Sequence, residues 1–349
     1  MATLSATALT LADWASRMDP DEGIADIINL LSQTNEVLDD MLWVEGNLPT
    51  GHKTTVRTGL PTVAWRLLNY GVARSKSTTA QIIDACGMLE AYSMIDKDLV
   101  ELAGDRAAFR MGEDMAFLES MSQSFSTTLM YGNTQANPER FLGFSSRFST
   151  VNTGTANNAV NVIDGGGTGS INSSVWLVCW GQTTAHGIFP KNKKAGLFME
   201  DVTTPAPVTD ANGNPYQAYQ THYKWDCGLS VRDWRYVVRI CNLDSTALAG
   251  GSPPNLINLM IQAMYKVPTL PRPATNIQSA TRASGVPLSF GRAAIYCNRT
   301  VKTWLDIQAT NKTNMLLTID QFDGRATTNF RGVPIRTVDS LLNTEARVT

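Results

Sequence analysis

Between Glu36 and Leu102 the chain reads as a helix end, then a long polar two-stranded arm, then a strand that runs into another helix. The arm carries threonine, arginine and aromatic residues in strand-like runs, Thr54-Thr55-Val56-Arg57 and Thr62-Val63-Ala64-Trp65-Arg66, with too few apolar residues to bury itself. At about 3.3 Å per residue each half reaches roughly 40 to 50 Å, beyond the radius of a compact domain of this mass. A lone hairpin is marginal in water, so an arm of this length needs a surface outside its own subunit.

With 349 residues the chain is long enough for a large core, and length predicts two domains or one domain with extensions. No apolar run approaches a membrane span, and MATLSATALTLADW has neither the basic region nor the apolar run of a signal peptide. These features predict no membrane association and use without export. The formal net charge is -2 and only 17% of residues are charged, which supplies no basic excess for gripping DNA phosphates. Cys86, Cys179, Cys227, Cys241 and Cys297 stand singly with no CxxC pair, the pattern of reduced thiols packed as small hydrophobes.

Along the chain, Asp19-Pro20-Asp21-Glu22 opens a helix in which Ile24, Ile27, Ile28 and Leu31 follow helical spacing, renewed by Val37, Leu38, Met41 and Leu42. Residues 79–95 predict a strand around Gly87, and Asp96 to Ala103 a short helix. From Asp105, an N-cap candidate, Met111, Met115, Leu118, Phe125 and Leu129 predict a helix of about seven turns with a packed apolar face, ending before Gly132. Residues 145–173, rich in Ser, Thr, Asn and Gly, predict a surface loop or insertion. Strands are predicted at Ser174 to Gly181, His186 to Pro190, Gly196 to Val202 and in two runs within Tyr216 to Asn242. A helix at Leu256 to Val267 opened by Ser252-Pro253-Pro254, a loop at Pro268 to Pro287, a strand at Arg292 to Cys297, a helix at Arg299 to Thr310 and a strand at Asn329 to Val338 complete an α+β chain.

Candidate chemistry is sparse. His52, His186 and His222 each stand in a separate context, without HExxH or acids at metal-ligand spacing, so no catalytic or metal site and no cofactor is predicted. Asp164-Gly165-Gly166-Gly167-Thr168-Gly169-Ser170 lacks the lysine and following helix of a phosphate loop, and no serine sits in a GxSxG elbow. Asp233-Trp234-Arg235-Tyr236-Val237-Val238-Arg239 reads as an amphipathic strand whose arginines pair with acids on a neighbouring strand or subunit, in preference to a nucleic-acid strand.

Several runs resemble the major capsid proteins of tailed bacteriophages, above all those of short-tailed phages. They are residues 11–72 from LADWASRMDP to LLNYGV, WLVCWGQTTAHGIFPKNKKAGLFMED at 176–201, THYKWDCGLSVRDWRYVVRICNLD at 221–244, AAIYCNRTVKTWLDIQATNK at 293–312 and FRGVPIRTVDSLL at 330–342. Together they span well over half the chain in consistent order.

The resemblance implies the Hong Kong 97-type capsid fold: an N-terminal arm, an extended loop lying on the adjacent subunit, a peripheral domain with a spine helix, and an axial domain. Mapped here, these are 1–45, 46–80, 81–145 and mainly 146–312, with 313–349 returning to the peripheral domain. It implies self-assembly as hexamers and pentamers into an icosahedral head around double-stranded DNA, held without sequence-specific binding. Scaffolding protein, portal and decoration protein are the candidate partners, and the virion, assembled in the bacterial cytoplasm, is the expected location. Arg57, Trp65 and Arg66 of the arm are the expected inter-subunit contacts, because arginine and aromatic residues dominate interface energetics. Two alternatives are a nanocompartment shell of the same fold, told apart by what its particles contain, and a small-molecule enzyme, which would require a pocket joining a histidine to an acid and a nucleophile.

Overall fold

The computed structural model describes residues 33–102, 106–151, 158–210, 212–250, 253–268, 292–310, 317–322 and 325–349. The helix expected from Asp19, the N-cap candidate Asp105 and almost all of the loop expected at 268–287 lie outside the described residues.

Among the described residues thirteen strands form one mixed sheet: β1 (Trp43–Glu45), β2 (Gly51–Gly59), β3 (Thr78–Asp96), β4 (Val162–Asp164), β5 (Asn172–Trp180), β6 (Ala185–Phe189), β7 (Phe198–Thr209), β8 (Pro215–Val231), β9 (Val237–Asp244), β10 (Arg292–Cys297), β11 (Leu317–Phe322), β12 (Arg325–Phe330) and β13 (Val333–Thr337). The main path runs β11-β12-β13-β10-β5-β6-β8-β3-β2, while β9 joins β5, β4 joins β9, β7 joins β8 and β1 joins β6. The long helix spans Arg106–Tyr131, and shorter helices span Lys97–Leu102, Leu256–Lys266 and Arg299–Thr310.

The period-two alternation of the central strands sorts two cores onto opposite faces of the sheet. Trp176, Val178 and Trp180 of β5, Val237 and Cys241 of β9, and Ala294 and Tyr296 of β10 face Phe125, Leu129 and Met130 of the long helix. Val175, Leu177 and Cys179, with Val238, Ile240, Ile295 and Cys297, face Leu256, Met260, Val301 and Leu305 of the two C-terminal helices. A strand buried on both faces must be apolar at every position, which is why β5 ends in the unbroken run VWLVCW.

Helices on both faces of one sheet agree with the expected α+β class, but several local expectations change. Helical spacing at Val37, Leu38, Met41 and Leu42 extends only over Val37–Asp40; the chain then enters β1, which pairs in parallel with β6. The expected packed face of the long helix is buried at Phe125 and Leu129 but exposed at Met111, Met115 and Leu118. Within the range 145–173, expected as a surface loop, the described residues include packed structure: a short helix at Phe144–Arg147 leads to buried Phe148, and Val162 and Ile163 of β4 pair with β9. Trp234–Tyr236 is a turn of 3₁₀ helix nucleated by the Asp233 carboxylate, which accepts from the Arg235 amide, so the strand begins only at Val237. The helix at Leu256 is capped by Asn255, whose side chain accepts from the Asn258 amide. The final strand is two, β12 and β13, reversed at Arg331 and Gly332 with φ of 49° and 82°, and β11 precedes them.

Glycine matters most at Gly87. A Cβ there would sit 3.1 Å from the Glu139 carbonyl oxygen, where the segment after the long helix crosses β3.

Candidate assembly surface

The nineteen residues of β3 span about 60 Å, and the strand changes partner midway. Thr78 to Ala85 pair with β2, whereas Cys86 to Asp96 pair with β8 in the body. The arm therefore leaves the body at Ala85–Cys86, as the continuation of a strand anchored in the main sheet.

Its root is tied down by polar contacts. The buried Asp84 carboxylate accepts from Arg147 Nη2 and from Ser230 Oγ, both at 2.8 Å, and Arg147 also donates to the Leu229 carbonyl. The Asn47 side chain brackets Lys53, donating to its carbonyl and accepting from its amide at 2.7 Å each. The Gly46 amide donates to the Phe189 carbonyl.

Beyond the stem, residues 60–76 are exposed without exception and contain no strand. The expected strand at Thr54 to Arg57 is present in β2, but that at Thr62 to Arg66 is not. A tip with no second strand beside it has no partner for its backbone; local bonds such as Ser75 Oγ to the Thr62 carbonyl and the Tyr70 amide to the Leu67 carbonyl hold it instead. Of the three expected contact residues, Arg57 lies on the paired stem opposite Thr79, while Trp65 and Arg66 lie in the tip. Trp65 is 103% exposed, and Leu60, Val63, Leu67, Leu68 and Tyr70 beside it are exposed as well.

Charge adds a feature that the sequence reading missed. From residue 46 to 83 the chain carries Lys53, Arg57, Arg66, Arg74 and Lys76 and not one acid, although the whole chain has a formal net charge of -2. The arm is thus a cationic, apolar-tipped projection from an acidic body. Counting charge by segment, not over the whole chain, would have found it.

The histidines offer a different picture from the three separate contexts expected. His52 on β2 and His186 on β6 meet edge to face with ring centroids 5.8 Å apart, and burial, then His52, pulls the His186 pKa down to about 4. Ser230 lies opposite His186 in the β6–β8 register, yet its hydroxyl donates to Asp84. All three are buried, so this group has the composition of a nucleophile triad without its proton path or access. His222 stacks on Tyr92 with ring centroids 4.3 Å apart and lies beside Glu90. Among the described residues no group of three histidine, cysteine or acid side chains could hold a metal.

In the glycine loop, the Gly165 and Gly167 amides donate to the Cys241 and Asn242 carbonyls, and so are turned into the fold and away from any anion. Burial pushes the thiols of Cys179 and Cys297 up to about 12, which keeps them protonated packing groups. Of the arginines expected to pair with acids on a neighbouring strand or subunit, Arg239 reaches Glu345 at 2.9 Å, far along the chain, whereas Arg235 pairs at 2.7 Å with Asp233 of its own turn.

Residues 19–349 match the family model described as major capsid protein GP7. Among solved structures, a chain from the near-atomic cryo-EM structure of bacteriophage Epsilon15 is 35% identical, with 100% of each chain covered and a TM-score of 0.73. The bacteriophage JBD30 capsid is 12% identical over 89% of this chain and 92% of that one, with a TM-score of 0.47. A search of curated proteins finds no match.

Proposed function

The chain belongs to the family of major capsid protein GP7, with the Hong Kong 97-type capsid fold and a structural role in the phage head shell, and from that premise we propose how it assembles. Subunits join as hexamers and pentamers, and each extended arm lies on an adjacent subunit. The observation that carries this is the acid-free arm whose tip leaves Trp65 and its apolar neighbours fully in water. Exposed apolar surface of that extent marks an interaction site, and five cations without an acid suit it to the acidic remainder of a second copy. Arg57, Trp65 and Arg66 are the contacts assigned to this interface.

In the same reading, residues 1–45 are an N-terminal arm, 46–80 the extended loop, 81–145 the peripheral domain with the spine helix, and 146–312 mainly the axial domain, with 313–349 returning to the peripheral domain. The shell encloses double-stranded DNA without sequence-specific contacts. Scaffolding protein, portal and decoration protein are its partners, assembly takes place in the host cytoplasm, and no catalysis is assigned to it.

Electron microscopy of the expressed, purified protein tests this proposal. Closed shells with five- and six-fold capsomers are expected, and particles from infected cells should absorb strongly at 260 nm. A chain that stays monomeric at high concentration with its phage partners present would overturn the proposal.

A further inference from the structure

His52 and His186 face each other across the root of the arm, one on the stem and one on the body. Their ring planes cross at 78°. His186 is wholly buried and neither of its ring nitrogens has a hydrogen-bond partner; His52 Nδ1 and the Thr54 hydroxyl, two residues further along β2, are buried without one as well. A buried polar group left unpaired is costly, and a charged one far more so. The contact suits two neutral rings only.

The charges around the pair oppose a proton. Asp84 of β3 and Arg232, just past the end of β8, act on both rings, and Arg147 of the short helix lies behind Asp84 as its ion-pair partner. Asp84 is the one acid among them, and its carboxylate already accepts from Arg147 and Ser230. Arg232, which donates to the Gln182 carbonyl, repels a proton on either ring. The Gly181 backbone beside His186 favours the charged form too weakly to offset burial.

Further out, the stem stands off the body. A cleft of about 620 Å³ lies between Val56 of β2 and Ile82 of β3 on one side and Leu142, Phe148 and Trp234 on the other. The stem thus leans on the body at its root and not along its length, so freeing the root frees the arm.

We propose that the contact between His52 and His186 is an acid-sensitive latch: neutral rings hold the stem on the body, and protonation releases the stem to swing about Ala85–Cys86, where β3 changes partner. Opening brings the imidazoles into water, where they bind a proton near pH 6.5, whereas the closed root refuses one at His186 until about pH 4. Above pH 6.5 both states are neutral and the latch stays shut. Between pH 6.5 and 4, His186 alone favours the open arm by up to about tenfold per unit of acid. Control of assembly by this latch rests on the arm's role in the shell, but the latch itself is a property of one subunit.

Pulsed EPR distances between spin labels at Thr55→Cys on the stem and Thr150→Cys on the far wall of the cleft read the opening, in unassembled full-length subunits carrying Cys86→Ser. One short distance is expected at pH 7.5, and a longer-distance population at least tenfold larger at pH 5. His52→Phe/His186→Phe, which keeps two packed rings and removes the titrating nitrogens, should hold the short distance at both pH values. Near-UV circular dichroism of the buried Trp176 and Trp180 should be the same at both, the mark of a hinge motion in a folded subunit. Unchanged distances in the labelled chain with both histidines, an equal shift in the phenylalanine variant, or loss of the tryptophan signal along with the shift would each overturn the proposal. A chain that fails to build shells leaves these distances unaffected, so the latch and the assembly role stand or fall separately.

Discussion

Arg239 and Glu345 form an ion pair at 2.9 Å with both side chains no more than 5% exposed, joining the centre of the sheet to a segment near the chain's C-terminal end. The Glu345 carboxylate also accepts from Tyr131 Oη and Ser174 Oγ, while Arg239 lies over the Trp176 ring. One carboxylate thus ties the C-terminal segment to β5, β9 and the end of the long helix. A buried pair contributes little beyond an apolar replacement, but removing one partner strands the other without compensation. Glu345→Ala should therefore destabilise the unassembled subunit by about 3–5 kcal/mol. A joint Arg239→Met/Glu345→Leu change should cost less than that single substitution, as measured by chemical denaturation.

His186 sets a pH dependence whose sign follows from its burial. Its folded pKa lies at about 4, while an unfolded imidazole titrates near 6.5. Above pH 6.5 both states are neutral and the group contributes nothing to the slope. Between pH 6.5 and 4 the unfolded chain binds a proton that the folded chain refuses, so stability falls as pH drops, by up to about 1.4 kcal/mol per unit. Denaturation of the unassembled subunit from pH 7.5 to 4.5 should show this loss, and His186→Leu should flatten it.

Trp65→Ala should weaken assembly far more than folding. A side chain wholly in water contributes little to subunit stability, whereas a buried aromatic anchor at an interface is worth about 2 kcal/mol or more, roughly thirtyfold in affinity. The critical concentration for shell formation should rise accordingly, while the melting temperature of the free subunit stays put. Equal loss of both would make Trp65 an internal packing residue.

Unassembled subunits should bind DNA weakly and without sequence preference, through the cations of the arm. A few phosphate contacts give an affinity that drops steeply with salt. Filter binding or fluorescence anisotropy at rising salt checks this, and nanomolar binding to one sequence at physiological salt would contradict it.

Much of the fold was legible where period and burial agree. An unbroken apolar run marked β5, and the threonine-rich run ending at Arg57 marked the stem of the arm. Other features failed for identifiable reasons. Spacing at Met111, Met115 and Leu118 reports that a helix has an apolar face, not what covers it. The turn at Trp234 hides in an alternating pattern because one side chain, Asp233, satisfies the Arg235 amide and bends the chain. The meeting of His52 with His186 depends on the strand order β6-β8-β3-β2, which no local pattern encodes. Of the candidate site, Arg57, Trp65 and Arg66 were readable as members of an arm too polar to bury itself, while the bare tip at 60–76 emerged only with the structure.

The claim that the arm builds the shell is tested most directly by replacing residues 60–76 with a short glycine-containing turn between Gly59 and Ser77. This cut removes only exposed residues and leaves the β2–β3 stem, with Asp84, Arg147 and Asn47, in place. Sedimentation velocity on the replaced and intact chains under assembly conditions is the measurement. The account predicts closed shells from the intact chain, and from the replaced chain a folded subunit with an unchanged melting temperature that forms no shell. Shells of normal size and yield from the replaced chain would contradict it.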